Sequence, residues 1–251
     1  PAFATADLSS LRYLICGGAP VPEPLMRTYA DRGVTFAQGY GLTETAPLAL
    51  VMGIDESEKT IGAAGNRVLP LSDVRLVDAT NAEVAPGQPG EICVRGPQVM
   101  VGYWDNPGAT DAAIDDDGWF HTGDVGREDD EGYVYVIDRV KDMVISGGEN
   151  VYPAEVESVL YSHPAVAEVA IVGLPDAKWG EAVTAVVATA PGETVTLKEL
   201  REFAADRLAR YKLPLRLEFI DALPRNPSGK VLKFALRDRF GAEAPAASPA
   251  V

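Results

Sequence analysis

The stretch LRYLICGGAPVPEPLMRTYADRGVTFAQGYGLTETAP, residues 11–47, decides the fold of the first part of the chain. Its opening apolar run, LRYLIC, stops at Gly17 and Gly18 and reads as a buried strand ending in a tight loop. Residues 22–31 then read as a helix, with Pro22 in the first turn and Gly33 just past the end. VTFAQ is a second strand. Strand, helix, strand in so short a span predicts a parallel βαβ unit, and such sheets hold ligands at the carboxyl ends of their strands. CGGAP and GYGLTE both fall at those ends. The alternating Gly39 and Gly41 suit neither a helix interior nor a buried strand. Tyr40, Thr43, Glu44 and Thr45 are therefore expected on a pliable loop.

Two other textures follow. Over residues 61–137, short β-rich pieces (DVRLVD, GEICVRG, YVYVID) alternate with Gly/Pro turns, the pattern of a small antiparallel barrel or sandwich. The acidic clusters at 115–117 and 128–131 fall in its turns and read as solvated turn residues rather than a metal site. After Arg139 the pattern becomes α+β. PAEVESVLYSH places Pro153 in a first helical turn and spaces Val156, Val159 and Leu160 for one helix face. AVAEVAIVGL, AVTAVVATA and RLEFI read as strands. Thr196 and Glu199 form a capping box ahead of an apolar stripe of Leu197, Leu200, Phe203, Ala204 and Leu208. The expected organisation is α/β followed by α+β: a βαβ piece over about residues 8–60, a β-rich barrel over 61–140, a compact α+β domain over 141–240, and a disordered Ala/Pro-rich tail over 241–251.

Composition narrows the function. A formal charge of −15 over 251 residues argues against long-range attraction to nucleic acid or an anionic membrane. An anionic ligand must then be met by local basic groups or backbone N–H donors. No apolar run approaches the ~20 residues that span a bilayer. The start, PAFATADLSS, has neither a signal peptide's basic, then apolar, sequence nor a methionine, so a cytoplasmic chain entered partway is expected. Cys16 and Cys93, in the apolar runs YLIC and EICV, read as buried thiols of a reducing compartment. Neither has a cysteine or histidine at metal-ligand spacing, and His121 and His163 lie far apart, so no metal cluster of that kind is expected.

Several short motifs carry chemistry. In GYGLTET, Tyr40 supplies a ring for stacking, Thr43 and Thr45 supply hydroxyls for phosphate oxygens, and Glu44 supplies a hard carboxylate of the kind that holds Mg²⁺ beside nucleotide phosphates. The alternative is an irregular loop with Tyr40 packed inward. CGGAP lets backbone approach a flat base; a plain strand-end turn is the better reading of it alone. GWFHTGDVG puts Asp124 in a Gly-bounded turn, where it can accept both hydroxyls of a ribose or simply form an Asx turn. DRVKDMVISGGENVYPAE couples a string of charges to a Gly-Gly loop and a helix start. PRNPSGKVLK places Lys230 on an exposed turn, where a solvated lysine is the ordinary reading.

Taken in order, GGAP, YGLTE, GWFHTGD, DRVKDMVISGGENVYPAE and NPSGKVLK form the motif series of adenylate-forming enzymes, and over residues 8–240 the chain resembles the C-terminal half of an acyl-CoA synthetase. GLPDAKWGEAV, ARYKLP and LPRNPSGK make it look closest to bacterial fatty-acyl-CoA ligases. The resemblance implies a large AMP-binding domain followed by a mobile C-terminal domain, with a carboxylic acid, favoured as fatty, ATP, Mg²⁺ and CoA as ligands. It implies that Gly17, Gly18 and Ala19 line the adenine and acyl pocket. Tyr40 with Gly41 meets adenine, Thr43 contacts the α-phosphate, Glu44 holds Mg²⁺, and Asp124 and Arg139 grip the ribose. Lys230 drives adenylation and Lys141 is the hinge. Gly147 and Gly148 admit the pantetheine arm. Trp179 and Tyr211, with Arg210 and Lys212, contact CoA, or else belong to core packing and a solvated helix end. The family's upstream phosphate loop is absent, so the expected partner is the N-terminal half of the same enzyme; homo-oligomerisation is left open. Two rival readings are an enzyme that loads a carrier-protein pantetheine and a non-catalytic nucleotide-binding module.

Overall fold

The computed structural model describes residues 2–18, 21, 23–53, 61–68, 70–227 and 229–241. The chain divides into two compact units, Pro1–Ile137 and Asp138–Val251.

The first unit opens with a short helix, α1 (Ala2–Thr5), and the expected βαβ element: β1 (Tyr13–Gly17), α2 (Glu23–Ala30) and β2 (Thr35–Tyr40). β1 and β2 run parallel, with Gly17 opposite Gly39. Two short antiparallel strands, β3 (Leu50–Val51) and β4 (Arg67–Val68), extend the sheet in the order β1-β2-β3-β4. Two expectations change here. β1 is not buried: Tyr13 and Ile15, which share one face of the strand, are 42% and 63% exposed, while Leu14 and Cys16 on the other face are half-buried. β2 also runs on through Gly39 to Tyr40, so Tyr40 ends a strand and does not sit in a loop.

Where a small barrel was expected, the described residues form an open four-stranded sheet: β5 (Asp73–Val77), β6 (Pro89–Arg95), β7 (Phe120–Glu128) and β8 (Val134–Arg139), in that order. A helix absent from the sequence reading, α3 (Pro107–Ala113), precedes β7. Asn106 caps it by accepting a hydrogen bond from the Ala109 amide at 3.1 Å, with proline in the first turn. Of the turn acids, Asp129 behaves as expected, its Oδ1 accepting from the Glu131 and Tyr133 amides, whereas the Asp115 side chain is only 21% exposed and lies 3.5 Å from Arg75. Ala49, Leu50, Leu76, Ile92, Val94 and Val134 form the main apolar cluster of this unit, with Tyr40 packed against its edge.

The second unit contains β9 (Val144–Ser146), β10 (Glu149–Val151), α4 (Pro153–Tyr161), β11 (Val166–Asp176), β12 (Gly180–Thr189), α5 (Leu197–Ala204), β13 (Arg216–Phe219) and α6 (Lys233–Gly241). β11 and β12 form a long antiparallel hairpin, and β13 adds in parallel to β12. Successive residues of a strand face opposite sides. Ile171, Val183, Ala185 and Val187 pack with Val156, Leu160, Leu200 and Ala204 of α4 and α5. Ala170, Val172, Leu174 and Val186 pack with Leu236 and Phe240 of α6. Both faces of this hairpin are therefore covered, which explains its unbroken apolar runs where a half-exposed strand would alternate. The capping box on α5 is present: the Thr196 hydroxyl accepts from the Glu199 amide at 3.3 Å, and Glu199 Oε2 accepts from the Thr196 amide at 2.7 Å. Gly241 closes α6 and does not begin the tail; residues 242–251 lie outside those described.

Candidate functional site

In the first unit the candidate residues gather at the carboxyl ends of β1 and β2. Gly17 ends β1 and Tyr40 ends β2. Gly18 follows in a left-handed turn, with φ 85°. Ala19 lies outside the described residues. A Cβ on Gly41 would lie 1.8 Å from the Pro47 carbonyl oxygen, so the glycine is there because two backbone segments touch, not because the segment is pliable. The touching segments enclose a 3-10 turn at Thr43–Thr45.

Thr43 is exposed and Glu44 half-buried. Thr45 is different: it is fully buried, its hydroxyl donates to the Leu42 carbonyl at 3.1 Å, and the Leu42 amide donates back at 3.0 Å. Thr45 therefore holds the turn and is not placed for phosphate. Glu44 Oε1 accepts a hydrogen bond from the Tyr103 hydroxyl at 3.1 Å. Tyr103 escaped the sequence reading; a tyrosine 59 residues away carries no local signal. Partial burial, then the neighbouring Glu44 carboxylate, push the Tyr103 hydroxyl above its ordinary pKa.

Asp124 was expected in a turn but lies within β7. A bulge makes the difference. Glu91 pairs with Val125 and Cys93 with His121, so Ile92 alone faces Thr122, Gly123 and Asp124. Gly123 takes the left-handed φ of 71° that the bulge requires. The Gly123 amide donates to Glu91 Oε1 at 2.9 Å, and the Thr122 hydroxyl donates to the Ile92 carbonyl at 2.7 Å. The bulge turns Asp124, 7% exposed, towards Tyr40, whose hydroxyl donates to Asp124 Oδ2 at 2.9 Å. Two candidates 84 residues apart thus meet at one spot. The carboxylate is aimed at the strand ends by a hydroxyl that leaves the Tyr40 ring half-buried.

The structure keeps one part of the reading of the cysteines, the burial of Cys93, and corrects the rest. Cys16 is only partly buried. Cys93 is buried with its Sγ 3.4 Å from His121 Nδ1, although 28 residues separate them. Pairing across β6 and β7 supplies the proximity that sequence spacing hid.

In the second unit, Arg139 ends β8 and Lys141 is exposed in a 3-10 turn at Val140–Asp142. That turn is tied down on both sides. Asp138 Oδ2 accepts from the Ala154 amide at 2.7 Å, and Asp142 pairs with Arg237 of α6 at 2.9 Å. Gly147 and Gly148 form the β9–β10 turn, both exposed. The Gly147 amide donates to the Trp179 carbonyl at 2.8 Å. A Cβ on Gly147 would lie 2.9 Å from the Trp179 ring, so Trp179 packs on this glycine while staying 40% exposed.

Tyr211 is 42% exposed in the 3-10 turn Arg210–Lys212, with Arg210 exposed beside it. Lys212 is not a solvated helix end: its ammonium contacts both carboxylate oxygens of Glu155, at 2.8 and 2.6 Å. Lys230 is exposed on a turn closed by the Arg225–Val231 bridge, its amide donating to Asn226 Oδ1 at 2.9 Å. Arg225 braces the turn by donating to the Gly229 carbonyl at 2.8 Å and to Glu168 at 2.6 Å. The Leu223 amide and then Arg225 hold Glu168 below its ordinary pKa.

An aromatic ring and two carboxylates at the ends of parallel strands, with an α+β unit bearing a lysine turn further along the chain, form the arrangement expected from the resemblance to adenylate-forming enzymes. The family comparison agrees. The sequence model of the AMP-binding enzyme family matches residues 1–104, and that of the AMP-binding enzyme C-terminal domain matches residues 155–230. The chain belongs to the AMP-binding enzymes. It is 52% identical over 241 residues to a feruloyl-CoA synthase of Amycolatopsis sp, covering 96% of this chain and 49% of that one. It is 45% identical over 245 residues to the long-chain-fatty-acid–CoA ligase FadD13 of Mycobacterium tuberculosis, covering 98% and 48%. Among solved structures, o-succinylbenzoate CoA synthetase (MenE) from Bacillus subtilis with the acyl-adenylate OSB-AMP superposes with a TM-score of 0.82 at 38% identity, covering 96% of this chain and 47% of that one. The same enzyme in complex with ATP and magnesium ion gives 0.80 at 39% identity, covering 91% and 46%. The chain thus spans about half the length of the curated relatives it matches. Among the described residues no helix is long and apolar enough to cross a membrane.

Proposed function

We propose that the protein carrying this chain is an acid–thiol ligase: it activates a carboxylic acid with ATP and passes the acyl group to CoA. The acid's carboxylate oxygen attacks the α-phosphorus, and pyrophosphate leaves. The CoA thiol, losing its proton, then attacks the acyl carbon, and AMP leaves. The observation that carries this reading is the Tyr40–Asp124 hydrogen bond at the strand ends, within a chain whose relatives include several CoA ligases.

The roles follow from the chemistry of each group. The Tyr40 ring, between Gly39 and Gly41, stacks on adenine, with Gly17, Gly18 and Ala19 alongside. Asp124 and Arg139 bind the ribose hydroxyls. Thr43 donates to the α-phosphate. One carboxylate beside nucleotide phosphates fits how Mg²⁺ is held, and Glu44, oriented by Tyr103, would hold it; when bound, the ion offsets phosphate charge. The Lys230 ammonium meets the charge that develops as two anions approach. Rotation at Lys141 then withdraws Lys230 and presents Gly147 and Gly148, whose bare backbone leaves room for a pantetheine arm next to Trp179 and Tyr211. Lys212, held by Glu155, is dropped from the CoA contacts.

For the acid, the likeness to FadD13 favours a fatty chain; the APLALV run after Glu44 adds nothing to this, since its Ala49 and Leu50 are buried in the core of the first unit. The second reading is an aryl acid, favoured by the higher identity to the feruloyl-CoA synthase. A panel of fatty and hydroxycinnamic acids, scored by pyrophosphate release with Mg·ATP, tests both. Release with neither class removes the proposal. Supplying CoA or a holo carrier protein to the preformed acyl-adenylate then identifies the acceptor.

A further inference from the structure

We propose that Glu91, Cys93 and His121 form a binding site for a thiophilic divalent cation of the zinc class, separate from the nucleotide-bound Mg²⁺. The three side chains share one face of the β5–β8 sheet. Cys93 and His121 are directly paired across β6 and β7, and Glu91 lies two residues from Cys93, on the same side. Their ligating atoms all fall within 4.8 Å of one another. Cys93 Sγ is 3.4 Å and Glu91 Oε2 is 2.9 Å from His121 Nδ1. In a tetrahedral zinc site the ligand radii put sulfur about 3.6 Å and oxygen about 3.3 Å from a ligating nitrogen. The observed spacing needs only a few tenths of an ångström of side-chain rotation.

Three features favour an ion over a plain hydrogen-bonded cluster. First, one imidazole nitrogen faces both a thiol and a carboxylate. Nδ1 carries either one proton or one lone pair in the ring plane, so it cannot serve both partners well. A cation on that lone pair serves all three. Second, the surrounding groups orient the ligands. The Gly123 amide holds Glu91 Oε1 and so turns Oε2 towards the histidine. Asp115 Oδ2 lies 3.7 Å from His121 Nε2, beyond hydrogen-bond distance but on the side where a metal-bound histidine takes a carboxylate partner for its second nitrogen. Asp115 is itself fixed by the Asp117 and Trp119 amides. Third, the charges balance. A Cys93 thiolate and the Glu91 and Asp115 carboxylates face one cation, Arg75, whose guanidinium lies 3.5 Å from Asp115 and over the Trp119 ring. A divalent ion brings the cluster to neutrality.

Binding replaces the Cys93 S–H bond by a sulfur–metal bond and releases the proton to solvent. Glu91 and His121 are each about a quarter exposed, which gives an entry path and room for a water as fourth ligand.

The test is titration of the purified, reduced chain with Co²⁺, followed by Zn²⁺. The expected result is one thiolate-to-cobalt charge-transfer band per chain, erased by Zn²⁺. The band should be kept in Cys16→Ala and lost in Cys93→Ala. His121→Gln, on the partly exposed face, should also lose it while melting normally, which keeps the test valid if Cys93→Ala does not fold. No band in the reduced chain, or a band that survives His121→Gln or disappears in Cys16→Ala, overturns the proposal.

Discussion

Replacing Tyr40 by phenylalanine keeps the ring and removes one hydroxyl. That hydroxyl donates to Asp124 Oδ2 at 2.9 Å, and Asp124 is 7% exposed. A hydrogen bond to a charged acceptor contributes about 1.5–3 kcal/mol, and a buried acceptor that loses its donor is not rehydrated. The expected cost of Tyr40→Phe is therefore about 2 kcal/mol. For a unit of this size, that lowers Tm by roughly 7 °C. Thermal and urea unfolding of Tyr40→Phe, Asp124→Asn and the double variant measure it as a cycle. The two positions should couple by about 1–2 kcal/mol. Nucleotide binding adds a second readout: Tyr40→Phe should retain more AMP affinity than Tyr40→Ala, because only the latter loses the stacking surface. A Tm within about 1 °C of wild type, with no coupling in the cycle, would refute the claim that this hydroxyl holds the Asp124 carboxylate in place.

Gly41→Ala should fail to fold or lose more than about 3 kcal/mol, since its Cβ would meet the Pro47 carbonyl oxygen at 1.8 Å; a normal melting curve would show that the close approach is absent. Glu168→Gln should lower Tm at neutral pH. Glu168 has a depressed folded pKa, set first by the Leu223 amide and then by Arg225, so its contribution is present above the ordinary 4.5 and lost as pH falls through the folded value. The Tm gap between wild type and variant should close in acid; a gap that widens there contradicts the assignment. Lys141→Pro fixes φ and removes an N–H at the expected pivot, so one half-reaction should stay near wild type while the other is crippled. Similar falls in both, with normal melting, would exclude Lys141 as the hinge.

Much of the fold was legible because its signals are local. The runs LRYLIC and VTFAQ, with the glycines beyond them, mark the βαβ element, and the Thr196–Glu199 box marks the start of α5. β7 hid behind Gly123 and Gly126, which look like turn residues until the bulge beside Ile92 explains the first of them. α6 was missed because its buried face reduces to Leu236 and Phe240, one turn apart. The site divided along the same line. Tyr40, Glu44 and Asp124 could be named from their motifs. Their partners could not, since Tyr103 on Glu44 and Cys93 beside His121 depend on chain crossings and strand register, which residue spacing does not encode. Thr45 shows the converse: a hydroxyl in the right motif is spent on its own turn.

Lys230 is proposed to serve acyl-adenylate formation and not thioester formation. The most direct test of this role measures the two half-reactions separately in the protein that contains this chain, as wild type and as Lys230→Ala. In Lys230→Ala, acid-dependent pyrophosphate release should fall by at least about 100-fold, the loss of one transition-state charge contact, while thioester formation from supplied acyl-adenylate and CoA should stay within a few-fold of wild type. Equal loss of both steps, or undiminished pyrophosphate release in the variant, would contradict that role.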